Sequence, residues 1–125
     1  MSHEPLQGRR ILVVEDVAIL AVSLEDILTR AGAEVVGPAL QLEAAERLAE
    51  EEGLSGALLD IRLNGDEIWS VAQLLERKGV PFVFCTGHFN RESLPAEWRK
   101  RPLLVKPARA RVIIDTMANL FHGHA

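Results

Sequence analysis

Residues 10–32 read RILVVEDVAILAVSLEDILTRAG, and this stretch holds the unit that repeats along the chain. Four unbroken apolar residues, Ile11–Val14, run into the acidic pair Glu15-Asp16. A short continuous apolar run suits a strand buried on both faces, as in a parallel sheet. Beyond the acids, Ile19, Leu20, Val22, Ser23, Ile27 and Leu28 recur at three- and four-residue spacing, and Gly32 follows as a helix stop. One strand and one helix thus occupy about two dozen residues.

The same alternation continues outward. Further apolar runs lie at Val35–Val36 with its flanks, Ala57–Leu59, Val80–Cys85 around Pro81, and Leu103–Val105. Helical spacing recurs in Leu42, Ala45, Leu48 and Ala49 before Gly53, in Ile68, Val71, Ala72, Leu74 and Leu75 before Gly79, and in Val112, Ile113, Met117, Leu120 and Phe121. Strict alternation predicts an α/β doubly wound parallel sheet. Only Gly87–Pro102 breaks the rhythm, with Leu94, Ala96 and Trp98 as its apolar anchors. Pro95 can open a helix there, since its missing N–H costs nothing at the first position, and Pro102 closes it within a turn or two. A short, mobile fourth helix is expected. Met1–Arg9 and His122–Ala125 are expected to fray.

Composition bounds the function. The chain has 125 residues, 48% hydrophobic and 26% charged, which fits one soluble domain over roughly 1–125 with its core at about 10–121. Lys+Arg 14 against Asp+Glu 18 gives a formal charge of −4, which argues against a dedicated nucleic-acid binder. No apolar run approaches the roughly 20 residues of a membrane span, and no secretory pattern opens the chain. Cys85 has no partner for an intramolecular disulfide and reads as an inert core thiol. A cytoplasmic setting is expected.

Polar residues collect where the strands run out: Glu15 and Asp16 after the first, Asp60 after the third, Thr86 after the fourth and Lys106 after the fifth. In open parallel sheets these carboxyl ends share one edge, where ligands bind. Three carboxylates together repel one another unless a cation sits among them. Hard oxygen donors without His or Cys suit Mg²⁺, with Mn²⁺ as a substitute, and such ions often share a phosphate. A lysine ammonium and a threonine hydroxyl can hold phosphoryl oxygens, while a carboxylate can attack phosphorus. The set reads as phosphoryl transfer onto Asp60. Glu15 and Asp16 alone could equally cap the first helix.

Glu15-Asp16 after Ile-Leu-Val-Val, Leu-Leu-Asp60-Ile, Phe-Cys-Thr86-Gly and Leu-Val-Lys106-Pro107 together resemble the receiver domains of two-component response regulators. The resemblance implies a flavodoxin-like (βα)₅ fold with strand order 2-1-3-4-5 and Asp60 as phosphoacceptor. It also implies Mg²⁺ held by Asp16, Asp60 and the backbone carbonyl of Arg62, with Glu15 acting through water. Thr86 and Lys106 would hold the phosphoryl group, and Lys106–Pro107 would be cis. Pro81-Phe82-Val83-Phe84-Cys85-Thr86-Gly87-His88-Phe89 is similar to the FAT GUY group, which often occurs as stand-alone domains in phosphorelays. Cys85 and Phe89 stand where that group usually has Ala and Tyr. Leu103 replaces the switch aromatic of many receivers, and Phe89 is expected to move in its place. Arg62 and His88 occupy positions that tune phosphoryl lifetime in the family; Gly87 and Pro107 complete the switch region.

The implied partners are a sensor histidine kinase or phosphotransfer protein and a downstream protein, with no nucleic acid and no membrane, the domain being a monomer or weak homodimer. Such a protein promotes its own phosphotransfer and autodephosphorylation without being a conventional enzyme. Two other readings remain open: a phosphorylation-independent pseudo-receiver, and an Asp-nucleophile phosphohydrolase, which usually carries Asp-x-Asp on its first strand. Arg91, Arg99, Lys100 and Arg101 form either a solvated face or a docking patch. Trp98 is either an exposed partner anchor or a side chain tucked under the loop.

Overall fold

The computed structural model describes residues 4–87 and 94–122. Five parallel strands form the central sheet: β1 (Arg10–Val14), β2 (Glu34–Ala39), β3 (Gly56–Asp60), β6 (Phe82–Thr86) and β7 (Leu103–Val105). Two short strands, β4 (Arg62–Leu63) and β5 (Asp66–Glu67), pair antiparallel in a separate hairpin just after β3. The sheet order β2-β1-β3-β6-β7 is the expected 2-1-3-4-5 once that hairpin is set aside. Helices α1 (Ala18–Arg30), α2 (Leu42–Ala49), α3 (Trp69–Lys78) and α4 (Ala110–His122) cover the two faces.

Alternate residues of each strand feed opposite cores, because successive side chains point to opposite sides. Leu12, Val14, Leu59, Phe82 and Phe84 face α2, α3 and the segment around Trp98. Ile11, Val13, Leu58, Val83 and Cys85 face α1 and α4. Strands buried on both sides need no polar residues, and the unbroken apolar runs follow from that. Gly79 ends α3 in a left-handed conformation at φ +74°, as its place in the sequence suggests.

Three expectations need correction. Of the residues that carry the helical spacing in α1 only Leu28 is buried: it faces the core with Ala21 and Leu24, while Ile19 (77% exposed) and Val22 (62%) face outward. Residues 4–9 are not frayed, since Leu6 is fully buried among Leu28 and Ala31 and its N–H donates to Ala31 O at 2.8 Å. His122 belongs to α4 rather than to a tail. The short fourth helix is present as expected, as a single 3₁₀ turn, Ala96–Trp98, with Pro95 at its N-cap and not at its first position. Trp98 takes the buried of its two placements. Arg101 lies over the rings of Phe82 and Trp98 and pairs with Glu76, while Arg99 donates to Leu94 O, so these two do not form a free basic patch.

The C-terminal helix locks onto the sheet at Gly56. A Cβ there would lie 2.7 Å from Phe121 Cε1 and 3.2 Å from Pro81 O. Gly56→Ala is therefore expected to destabilise the domain by about 1–3 kcal/mol, read as a lowered urea midpoint at unchanged slope. A midpoint equal to wild type would show that Phe121 does not rest on β3.

Among the described residues, no helix is long and apolar enough to cross a membrane.

Candidate functional site

Each strand delivers its polar residue to the same edge. Asp60 is the last residue of β3, Thr86 the last of β6, and Glu15-Asp16 directly follow β1. Lys106 follows β7, anchored by its backbone N–H to Thr86 O at 2.8 Å. The Lys106–Pro107 peptide is cis as expected; Gly37–Pro38 is cis as well, which nothing in the sequence reading anticipated.

Lys106 organises the acids. Its Nζ lies 2.8 Å from Glu15 Oε1 and 3.1 Å from Asp60 Oδ2. Glu15 is 1% exposed and its other oxygen, Oε2, accepts the Val17 backbone N–H at 3.1 Å. Glu15 thus bonds Val17, the N-cap residue of α1, without itself capping the helix, and lies in the acidic cluster. Asp16 is held from the hairpin side, its Oδ2 accepting the Asn64 N–H at 3.0 Å. Carboxylate oxygens of Glu15, Asp16 and Asp60 all lie within 4.8 Å of one another. An all-oxygen set at such spacing can hold a divalent cation, and its hardness favours Mg²⁺, Mn²⁺ or Ca²⁺ over softer metals.

A cleft of about 610 Å³ opens above the cluster, lined on one side by Asp16, Asp60, Arg62, Thr86 and Lys106. Its other wall is Gly87, Leu94, Leu103 and Trp69, whose Nε1 donates to Glu67 Oε1 at 3.0 Å. Seven of the residues singled out from sequence, with Gly87 and Leu103 among the tuning positions, thus converge on one opening. Glu15 lies beneath it, on a narrower groove of about 130 Å³ between α1 and α4 that Lys106 and Pro107 also line. His88 and Phe89 lie outside the described residues. The hairpin residues Asn64 and Glu67, and Trp69 at the start of α3, were missed. Asn64-Gly65 is the turn signal that could have revealed the hairpin.

Burial and the neighbouring Glu15 charge push the Asp60 carboxyl up to about 7, against the opposing pull of Lys106. Burial works against the Lys106 ammonium, but its bonds to Glu15 and Asp60 outweigh that and hold it above the usual lysine value. Asp16 stays below the usual carboxylate value: its burial is outweighed by the Asn64 N–H and other local bonds. Burial raises the Cys85 thiol to about 11, so it is no thiolate near neutrality, in keeping with an inert core residue.

A raised carboxylate makes the folded state bind more protons than the unfolded one between 3.8 and about 7. Without divalent cations, stability is accordingly expected to fall as pH rises through that window. The full shift would correspond to roughly 4 kcal/mol, but solvent in the open cleft reduces this to about 1–2 kcal/mol. Lys106 contributes no slope there, because its extra stability is lost only above the ordinary lysine value. Asp16, being depressed, loses its contribution only on acidification below the same window. Urea unfolding from pH 4 to 8 measures the slope; a curve rising over that range would contradict the charge arrangement.

No family model matches the chain. Solved structures do. SdrG from Sphingomonas melonis Fr1 is 33% identical, with 96% of this chain and 98% of that chain covered and a TM-score of 0.78. A response regulator receiver protein from Sinorhizobium medicae WSM419 is 27% identical over 94% of this chain and 98% of its own, also at 0.78. A response regulator protein from Burkholderia pseudomallei, solved with a phosphorylated aspartic acid, a calcium ion and citrate, is 25% identical, covering 87% of this chain and 66% of that chain at 0.75. The uncharacterised transcriptional regulatory protein YbdJ of Bacillus subtilis (strain 168) is 25% identical over 122 residues, or 95% of this chain and 53% of that protein. The chain thus spans about half the length of the curated relative it matches.

Proposed function

The chain belongs to the receiver domains of response regulators, and from that premise we propose that it accepts a phosphoryl group from a kinase or phosphotransfer-protein phosphohistidine onto Asp60. The observation that carries this reading is Lys106 bridging Asp60 and Glu15 beside Asp16 at the open edge of the sheet. A structural ion pair needs one acid for one base. Here one ammonium pairs with two of three clustered carboxylates, which leaves excess negative charge poised for a divalent cation and a phosphoryl group.

Asp16, Asp60 and the backbone carbonyl of Arg62 would hold Mg²⁺, with Mn²⁺ as a substitute. Glu15, buried and bonded to Lys106, acts through water. Bound there, the metal would neutralise charge on the phosphoryl oxygens. In the transfer, the Asp60 carboxylate forms the new P–O bond as the donor's P–N bond breaks, and the imidazole leaves with a proton. Lys106 follows the growing negative charge on the phosphoryl oxygens, and the Thr86 hydroxyl contributes a second donor. The relative solved with a phosphorylated aspartic acid and calcium supports both halves of this reading.

The donor is a protein. Val17, Ile19, Leu20 and Val22 are 45%, 77%, 41% and 62% exposed at the start of α1, directly after Asp16. An apolar patch beside a polar cleft suits a partner helix, not a free metabolite. The similarity of residues 81–89 to the FAT GUY group supports a role in a cytoplasmic phosphorelay, as the stand-alone type whose output passes to another protein. Phosphorylation would bias a two-state equilibrium through Thr86, Gly87 and Phe89, with Leu103 at the vacant aromatic position.

Intact-mass spectrometry after incubation with acetyl phosphate, with and without Mg²⁺, and again with beryllofluoride, tests the reading. A Mg²⁺-dependent gain of one phosphoryl group is expected. Neither an adduct nor Mg²⁺-dependent beryllofluoride binding would point instead to a pseudo-receiver, whose partner binding ignores both metal and phosphodonor.

A further inference from the structure

The hairpin after Asp60 does something that the phosphoacceptor chemistry does not itself assign. Its strands put Arg62 opposite Glu67 and Leu63 opposite Asp66, so Asn64 and Gly65 alone make the turn. Their φ angles are +52° and +91°. Two consecutive positive values define the turn that Asn-Gly favours. Leu63, 1% exposed, fixes the hairpin to the core from below. From this base the turn reaches back across the molecule at two points. The Asn64 backbone N–H donates to Asp16 Oδ2 at 3.0 Å, and its Nδ2 donates to Leu40 O at 3.4 Å in the connection between β2 and α2.

We propose that Asn64 is a positioning residue that sets the cation affinity of the cleft by holding the Asp16 carboxylate in one orientation. This rests on the metal reading of the cleft given above. Asp16 is only partly buried, and a carboxylate at such a position would otherwise rotate. Pinning one oxygen removes that freedom before the cation arrives and leaves the group facing Glu15 and Asp60. Outer partners of this kind typically change metal affinity tenfold or more when lost.

The donor is a backbone N–H, so the side chain at this position matters mainly through the conformation that it permits. Asn and Gly adopt φ +52° readily, whereas a β-branched residue is strained there. That separates this proposal from one in which the Asn64 amide itself is the ligand. Asn64→Gly keeps the turn and the N–H and removes the amide; Asn64→Val keeps neither the turn nor its aim.

The test is calorimetric titration of the full chain with MgCl₂ at fixed pH and without phosphodonor, beside urea unfolding of each variant. Asn64→Val is expected to weaken Mg²⁺ binding about tenfold, and Asn64→Gly to stay within about twofold of wild type. Equal affinity in wild type and a folded Asn64→Val would overturn the proposal, as would Asn64→Gly binding as weakly as Asn64→Val. Should Asn64→Val unfold, the Asn64 amide of the wild type decides. Its hydrogen exchange is expected to be slowed, and the protection lost in Asp16→Ala; an unprotected amide overturns the proposal. Wild type that binds no Mg²⁺ at all would instead overturn the metal reading itself, a result distinct from wild-type binding that the turn variants leave unchanged.

Discussion

Asp60→Asn is expected to take up no phosphoryl group from acetyl phosphate under conditions where the wild type gains one. An amide nitrogen cannot replace the carboxylate as nucleophile toward phosphorus, and among the described residues the other carboxylate bonded to the Lys106 ammonium, Glu15, is buried beneath the cleft. The loss should be complete by intact mass. The same substitution has a second, opposite consequence. Asp60 is 5% exposed and its carboxyl is pushed up to about 7, so above that pH the folded apo domain carries a buried charge beside Glu15. Asparagine keeps the shape and can still accept from Lys106. At pH 8 without divalent cations, Asp60→Asn is therefore expected to be more stable than wild type by about 1–2 kcal/mol, after allowance for solvent in the cleft. Added Mg²⁺ should narrow that difference by stabilising only the wild type. A variant that is dead in phosphotransfer yet no more stable would mean that the acids are not in electrostatic conflict. A variant that is still phosphorylated would move the nucleophile elsewhere.

The second large effect is expected at Trp98. Its ring lies edge-on to Phe82, with centroids 5.7 Å apart, and to Phe84 at 6.1 Å; Phe84 in turn meets Trp69 at 5.7 Å. It is 3% exposed, with the Arg101 guanidinium 5.4 Å from its centroid. Trp98→Ala should cost about 3–5 kcal/mol, from lost transfer energy, a cavity and the aromatic contacts together. Against a typical total of about 5–15 kcal/mol this is a large share, and the urea midpoint should fall accordingly. Trp98→Phe, which keeps an edge-to-face partner, should recover part of it. A cost under about 1 kcal/mol for the alanine would show that residues 94–101 are not packed on the sheet in solution.

These two cases show which parts of the molecule were legible beforehand. The strands and the converging polar ends could be read because a doubly buried strand tolerates only apolar residues, and because topology then forces its end to the ligand edge. The face of α1 could not. Ile19 and Val22 are spaced just as Ala21 and Leu24 are, so a helix apolar on two sides leaves its orientation undecided until the sheet is present. Leu6 escaped notice because a single apolar residue has no period. Trp98 had two defensible placements, and only the Phe82–Phe84 surface beneath it selects one. The hairpin was overlooked because strands of two residues, Arg62–Leu63 and Asp66–Glu67, carry almost no alternation to read.

The placement of the two indoles has an optical consequence. Trp98 is sealed in the interior and should emit at short wavelength until the domain unfolds, whereas Trp69 stands half-buried on the cleft wall with its nitrogen bonded to Glu67. Both touch Phe84, but only one borders the phosphoacceptor opening. With Trp98→Phe as background, the protein's own light would come from a single chromophore beside Asp60. Occupancy of the cleft could then be followed in real time on unlabelled protein.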